Sequence, residues 1–194
     1  MATWNGICGA SADDAKQAGT TVTLNNTQII LSAGTQWAGL RFPGCSIPKG
    51  AAITSAILTL ELVADNTDPG ALVFYGEAAD NAAAFTTAAS NISGRAMTTA
   101  NVAWSSGALG NGDKNSPDLA AILTEITGRS GYAAGNAVAL ILDATGTTSL
   151  RFTSYDSSTS LCARLAVVYS AGQPMAARAR QVPGMRQRHG QQGW

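Results

Sequence analysis

Histidine is almost missing from this sequence, and its scarcity excludes several kinds of catalytic site. His189 is the only histidine among 194 residues, and it lies near the end of the chain. A Ser-His-Asp or Cys-His arrangement needs a histidine beside its nucleophile, and the folded region predicted below has none. A metal site built from several histidines is excluded for the same reason.

Charged side chains are also scarce, at 12% of the residues, against 45% hydrophobic residues. With that much apolar material and no net charge, low charge does not indicate disorder, and the length suits one domain with a substantial core. The charges are unevenly placed, because all twelve acids and eight of the twelve basic residues lie within 1–170. Residues 1–170 therefore carry a net charge of −4, and residues 171–194 carry +4.

Long apolar runs are absent as well. The longest, "AVALIL" at 137–142, is far too short to span a bilayer. The first residues lack the basic region and the apolar run of a signal peptide, so we expect no membrane association and no signal-directed export. Cys8, Cys45 and Cys162 are an odd number without metal-ligand spacing, and we expect them to remain reduced.

Alternation of apolar and polar residues dominates what is present. In "AAITSAILTLEL" at 51–62, one face carries Ala56, Leu58, Leu60 and Leu62, which is typical of a half-buried strand. Further strands are predicted at 20–31 (two short ones around an Asn-Asn turn), 35–42, 71–78, 136–144, 148–156 and 161–170. The polar stretch 79–115 is predicted to form long loops with a short strand or two.

One segment, "SPDLAAILTEITGRSG" at 116–131, has the spacing of a helix, predicted near residues 117–127. Ser116 is the predicted N-cap, with Pro117 in the first turn and Asp118 at the positive helix end. Many strands and one short helix predict an all-β protein. We expect an antiparallel, jelly-roll-like β-sandwich at 1–170, followed by an extended basic tail at 171–194, here called the arm.

An ordered set of segments resembles the DNRLRE-like β-sandwich domains of bacterial surface and extracellular proteins and of phage structural proteins. The segments are "SADDAKQ" (11–17), "AGLRFPGCSIPKGAAITSAILTLE" (38–61), "YGEAADNAAAF" (75–85), "NVAWSSG" (101–107), "SPDLAAILTEITGRSGYAAGNAVALIL" (116–142) and "RFTSYDSSTSLCARLAVVY" (151–169). They cover most of residues 11–170. The resemblance implies a scaffold domain and very little chemistry.

Carboxylates are the residues most able to give this protein a catalytic or metal-binding function. Glu61, Glu77 and Glu125 could supply the acid pair of a glycosidase, but nothing in the pattern brings two of them together. The sequence therefore predicts no enzyme. Oxygen ligands for calcium could come from Asp65, Asn66 and Asp68, from Asp13 and Asp14, or from Asp113. Because "DNTDPG" is also an ordinary turn, we expect no metal and no cofactor.

Aromatic residues could serve as a glycan platform or as core anchors. The candidates are Trp37, Tyr75, Trp104 and Tyr155, and burial in the core is the favoured interpretation because large aromatics are usually mostly buried.

The arm holds the predicted partner-binding residues. These are Arg178, Arg180, Arg186, Arg188 and the terminal Trp194. Four arginines without an aromatic-studded fold are weak evidence for nucleic-acid binding, and none is expected. A basic arm ending in an aromatic residue favours docking on an acidic protein surface.

Together these features favour a non-enzymatic virion structural protein of a tailed phage, either a capsid decoration (cement) protein or a head-fibre protein. Such a protein would be assembled into virions in the host cytoplasm. Its expected partners are the major capsid protein or another virion protein, and further copies of itself. The alternative is an extracellular or fibre module that binds a glycan or a host surface.

Overall fold

A computed structural model describes residues 1–32, 34–63, 69–144 and 149–170. The arm, with its four arginines and Trp194, lies outside the described residues. So do Asp65, Asn66 and Asp68 of the predicted turn, and with them that candidate calcium site.

The described residues form twelve strands and one α-helix, with a single 3-10 turn at Ser11–Asp13. In chain order they are β1 Ala2–Ile7, β2 Asp14–Ala18, β3 Thr21–Thr23, β4 Gln28–Ser32, β5 Gln36–Phe42, β6 Ala52–Leu62, β7 Pro69–Glu77, β8 Met97–Ala108, β9 Gly112–Asn115, α1 Ala120–Gly128, β10 Val138–Ala144, β11 Ser149–Thr153 and β12 Arg164–Ser170. No helix among them is long and apolar enough to cross a membrane.

The first sheet is built around β6. Its strand order is β1-β12-β6-β11-β4, with β9 also paired to β6. Thr59 pairs with both Arg164 of β12 and Asn115 of β9, so these two strands lie on opposite sides of β6. On its other side β12 pairs with the N-terminal strand β1, in a continuous register from Ala2↔Tyr169 to Ile7↔Arg164. It therefore lies between β6 and β1.

The second sheet has the order β3-β2-β5-β10-β7-β8. β10 lies between β5 and β7, and all its residues except Asp143 are buried, as expected of a strand covered on both faces. All strand pairs in both sheets are antiparallel. The predicted antiparallel β-sandwich is confirmed.

The main core lies between the two sheets. The predicted inner face of β6 is confirmed, since Ala56, Leu58, Leu60 and Leu62 are each at most 1% exposed. From the second sheet, Leu40, Phe74 and other apolar side chains complete the same cluster. α1 adds Ile122, Leu123 and Ile126.

Two predictions were wrong in detail, one about the stretch 79–115 and one about the start of the helix. The stretch predicted as mainly loops contains β8, a strand of 12 residues that pairs with β7 at the edge of its sheet. The helix begins at Ala120, and Ser116 does not cap it. Instead the Ser116 hydroxyl accepts a hydrogen bond from the Leu58 amide, while an Asp118 oxygen accepts from the amides of Ala120 and Ala56. These residues therefore attach the start of the helix to β6.

A cover segment, residues 78–96, closes the outer face of the second sheet. Phe85 and Ile92 pack on Ala139 and Ile141 and form a second small core. The segment is tied down by Arg95, which pairs with Glu77 at 2.7 Å and lies over the Phe85 ring at 4.1 Å. This sheet therefore has both faces covered by its own chain.

The cover segment packs closely against the second sheet because residue 39 is a glycine. A Cβ atom there would overlap the Phe85 ring. We expect Gly39→Ala to lower the free energy of unfolding by roughly 1–3 kcal/mol in urea denaturation, because the ring must shift in a close-packed site. The matched control is Gly107→Ala in β8, where a Cβ meets open space. An equal effect of the two substitutions would contradict this packing.

Candidate functional site

The outer face of the first sheet is left uncovered by the described residues. Strand register places every second side chain of β1, β12 and β6 on this face, opposite the buried Trp4, Leu58 and Leu165. We call it the bare face, and its central residues are Asn5, Ile7, Ile57, Thr59, Arg164 and Ala166.

The bare face is shallow, and half of its six central side chains are apolar. Ile7 is 39% exposed, Ala166 is exposed, and Ile57 is half-buried. A depression of about 360 Å³ is lined by Asn5, Gly6, Ile7, Thr59, Arg164, Leu165 and Ala166. The second sheet differs, because the cover segment occupies its outer face, whereas the described residues leave the outer face of the first sheet uncovered.

Charges gather at one edge of the bare face. Arg164 forms an ion pair with Asp113, and Glu61 lies opposite Asp113 on the neighbouring strand. The interaction with Asp113 raises the pKa of Glu61, and the interactions with Glu61 and Arg164 lower the pKa of Asp113. Lys114 also lies near Glu61, so two cations and two carboxylates offset one another and the edge adds little net charge to the surface.

The structure gives the three candidate catalytic glutamates separate structural contacts. Glu61 contacts Asp113, and Glu77 pairs with Arg95. Glu125 on α1 accepts hydrogen bonds from the amides of Thr99 and Ala100 at 2.9 and 2.8 Å. The Glu77 and Glu125 carboxylates thus hold parts of the fold in place, and the three glutamates are not brought together around a common cleft.

The candidate calcium ligands Asp13 and Asp14 differ in their hydrogen-bond partners. Asp13 binds Arg41 through one oxygen at 2.5 Å and the Gly9 amide through the other at 3.0 Å. One Asp14 oxygen accepts from the Tyr155 amide at 2.6 Å, and the other has no hydrogen-bond partner among the described residues. Burial raises the pKa of Asp14 to about 7. Within the described ranges, no group of three or more His, Cys, Asp or Glu side chains is placed to hold a metal ion.

The aromatic candidates contribute to packing. Trp104 is 9% exposed and stacks on Phe74, with ring centroids 5.8 Å apart. Trp37 and Tyr75 are half-buried against the second small core, and Tyr155 packs against the main core. The favoured interpretation of Trp104 as a core residue is confirmed.

Sequence reasoning missed the strand that borders the bare face. β1 was not predicted, although "TWNGIC" alternates, with Trp4, Gly6 and Cys8 buried between exposed neighbours. The residue types show this period only at Trp4 and Cys8, because the exposed position 7 is an isoleucine and the buried position 6 is a glycine.

No known family model matches this chain, and no curated protein shows significant similarity to it. The resemblance to the DNRLRE-like domains therefore stays a prediction from the residues.

Proposed function

We propose that this protein is a non-enzymatic structural component of a tailed-phage virion, a capsid decoration or head-fibre protein. It attaches to the capsid or to another virion protein partly through the arm, residues 171–194. The role of the arm is inferred from its sequence, and the folded domain is the scaffold to which the arm is attached.

The proposal rests mainly on the bonding partners of the polar side chains. The candidate glutamates, Asp13 and the arginines Arg41 and Arg95 all serve contacts within the fold. What the described residues leave available is a broad and weakly charged sheet face. A scaffold with an uncovered face suits packing between protein subunits, since the centres of such interfaces are depleted in charge.

Strand β12 connects this face to the arm. It crosses the bare face and ends at Ser170, directly before the arm begins. Guanidinium groups form short, charge-assisted hydrogen bonds to carboxylates, so four arginines without an acid suit an acidic neighbour. The rest of the chain has net charge −4 and could itself be that neighbour in a second copy.

The glycan-binding alternative gains less support. Sugar rings stack on exposed aromatic faces, whereas Trp104 is buried and Trp37 and Tyr75 are half-buried against the second core.

The proposal is tested by mixing the full-length protein with phage particles that lack it, then sedimenting the particles. The protein should co-sediment at low salt and be released progressively as salt rises. Replacing the four arm arginines with glutamine should weaken binding and flatten its salt dependence. The matched control replaces Gln181, Gln187, Gln191 and Gln192 with alanine, which keeps every charge and should bind like the parent. A full-length protein that stays in the supernatant at low salt would overturn the proposal.

A further inference from the structure

Two cysteines meet where the first and last strands of the domain come together. Cys8 follows β1 directly, and Cys162 lies two residues before β12. The terminal pair of these strands, Ile7↔Arg164, brings the two cysteines to the same corner. Both are reduced and almost fully buried, at 2% and 0% exposure.

The Cys162 side chain contacts the backbone of Cys8 directly. Cys162 Sγ lies 3.9 Å from the carbonyl oxygen of Cys8 and 3.6 Å from that of Thr159. Cys8 Sγ in turn donates to the Asp13 carbonyl at 3.6 Å. The third cysteine is different, because Cys45 Sγ accepts a hydrogen bond from the Tyr132 hydroxyl in another part of the core.

We propose that Cys8 and Cys162 form an intramolecular disulfide when the reduced protein meets an oxidising environment. The bond would tie β1 to β12 and close the chain into a ring from residue 8 to residue 162. The expectation that all three cysteines stay reduced would then hold only in a reducing compartment. This inference does not depend on the proposed function.

The oxidation requires a low-molecular-weight disulfide such as oxidised glutathione. One protein thiolate attacks the glutathione disulfide, forming a mixed disulfide and releasing one reduced glutathione. The second protein thiol, deprotonated, then attacks the protein sulfur of that mixed disulfide and releases the second glutathione. The two protein thiols lose two electrons and two protons, and one glutathione disulfide becomes two thiols.

The surroundings of the pair favour Cys162 as the first nucleophile. The interaction with Cys8 lowers the pKa of Cys162, while the interaction with Cys162, burial and the nearby Asp14 raise the pKa of Cys8. Residues 159–161, just before Cys162, are exposed, so a short loop opening gives a small disulfide access to this sulfur.

The test is to incubate the full-length protein with oxidised glutathione under native conditions for a day, then alkylate the remaining thiols in denaturant. Reduced protein should take up three alkyl groups and oxidised protein one, on Cys45. A non-reducing tryptic map should show peptides 1–16 and 152–164 as one linked species. The thermal midpoint should rise by roughly 5–15 °C, because a disulfide that closes a long loop restricts the unfolded chain.

Single variants make the result specific. Cys8→Ser and Cys162→Ser should each lose the difference in midpoint between oxidised and reduced protein, and Cys45→Ala should keep it. Three alkylated cysteines after oxidation would overturn the proposal. So would stable glutathione adducts, or a bridge that includes Cys45.

Discussion

Leu60→Asp should abolish soluble expression of the domain. Leu60 is 1% exposed on the inner face of β6, at the centre of the first sheet. The substitution removes a large apolar side chain and places a carboxylate among apolar neighbours with no partner. The combined loss is roughly 5 kcal/mol or more, which is comparable to the whole stability of a typical domain.

The matched control lies on the same strand with the opposite orientation. Ser55 is half-buried on the outer face, opposite Val168 of β12. Ser55→Asp should express in soluble form, with a thermal midpoint within a few degrees of the parent. The comparison is made by soluble yield and circular dichroism melting. A Leu60→Asp protein that folds with the parental midpoint would contradict the register of β6.

Stability should fall as pH rises through the range from about 4 to 7, and Asp14 should be the main cause. Its pKa is raised to about 7 by burial, while an unfolded aspartate titrates near 4. The native state therefore binds the proton more tightly than the unfolded state. The stabilisation is complete below about pH 4 and is lost as pH rises to about 7, by up to about 4 kcal/mol.

Asp14→Asn should remove most of that dependence, because an amide keeps an acceptor for the Tyr155 amide and cannot ionise. The measurement is urea denaturation at several pH values between 4 and 8. The variant should match the parent near pH 4 and exceed it at pH 8. A smaller slope should remain from Asp143, whose pKa burial also raises. Parallel profiles for parent and variant would contradict the assignment to Asp14.

The strands were predictable where one face of the strand is buried and the other is not. Leu58, Leu60 and Leu62 repeat at every second position, and burial between two sheets is what imposes that period. β10 was predictable for a related reason, since a continuous apolar run indicates a strand covered on both faces.

The errors fall where structure depends on atoms from distant strands. Ser116 has the chemistry of a helix cap, but the β6 amides compete for it, and Asp118 takes the position nearer the helix. The β8 sequence is polar because the strand lies at a sheet edge, and only its pairing with β7 makes it a strand. Local propensity cannot report either interaction.

The candidate site was predicted least completely. The bare face is formed by β1, β12 and β6 side by side. Because β1 and β12 are the first and last strands, its residues are far apart in the sequence. The contact between Cys8 and Cys162 has the same origin. No spacing in the sequence predicts it, because it depends on the pairing of the first and last strands.

The most direct test of the proposed virion role compares the full-length protein with a protein ending at residue 170. Each is mixed with particles that lack it and then sedimented, after melting curves have confirmed that both are folded. The full-length protein should co-sediment, and the shortened protein should remain largely in the supernatant while keeping the parental midpoint. Equal co-sedimentation of the two would contradict attachment through residues 171–194 and would place the attachment surface on the sandwich itself.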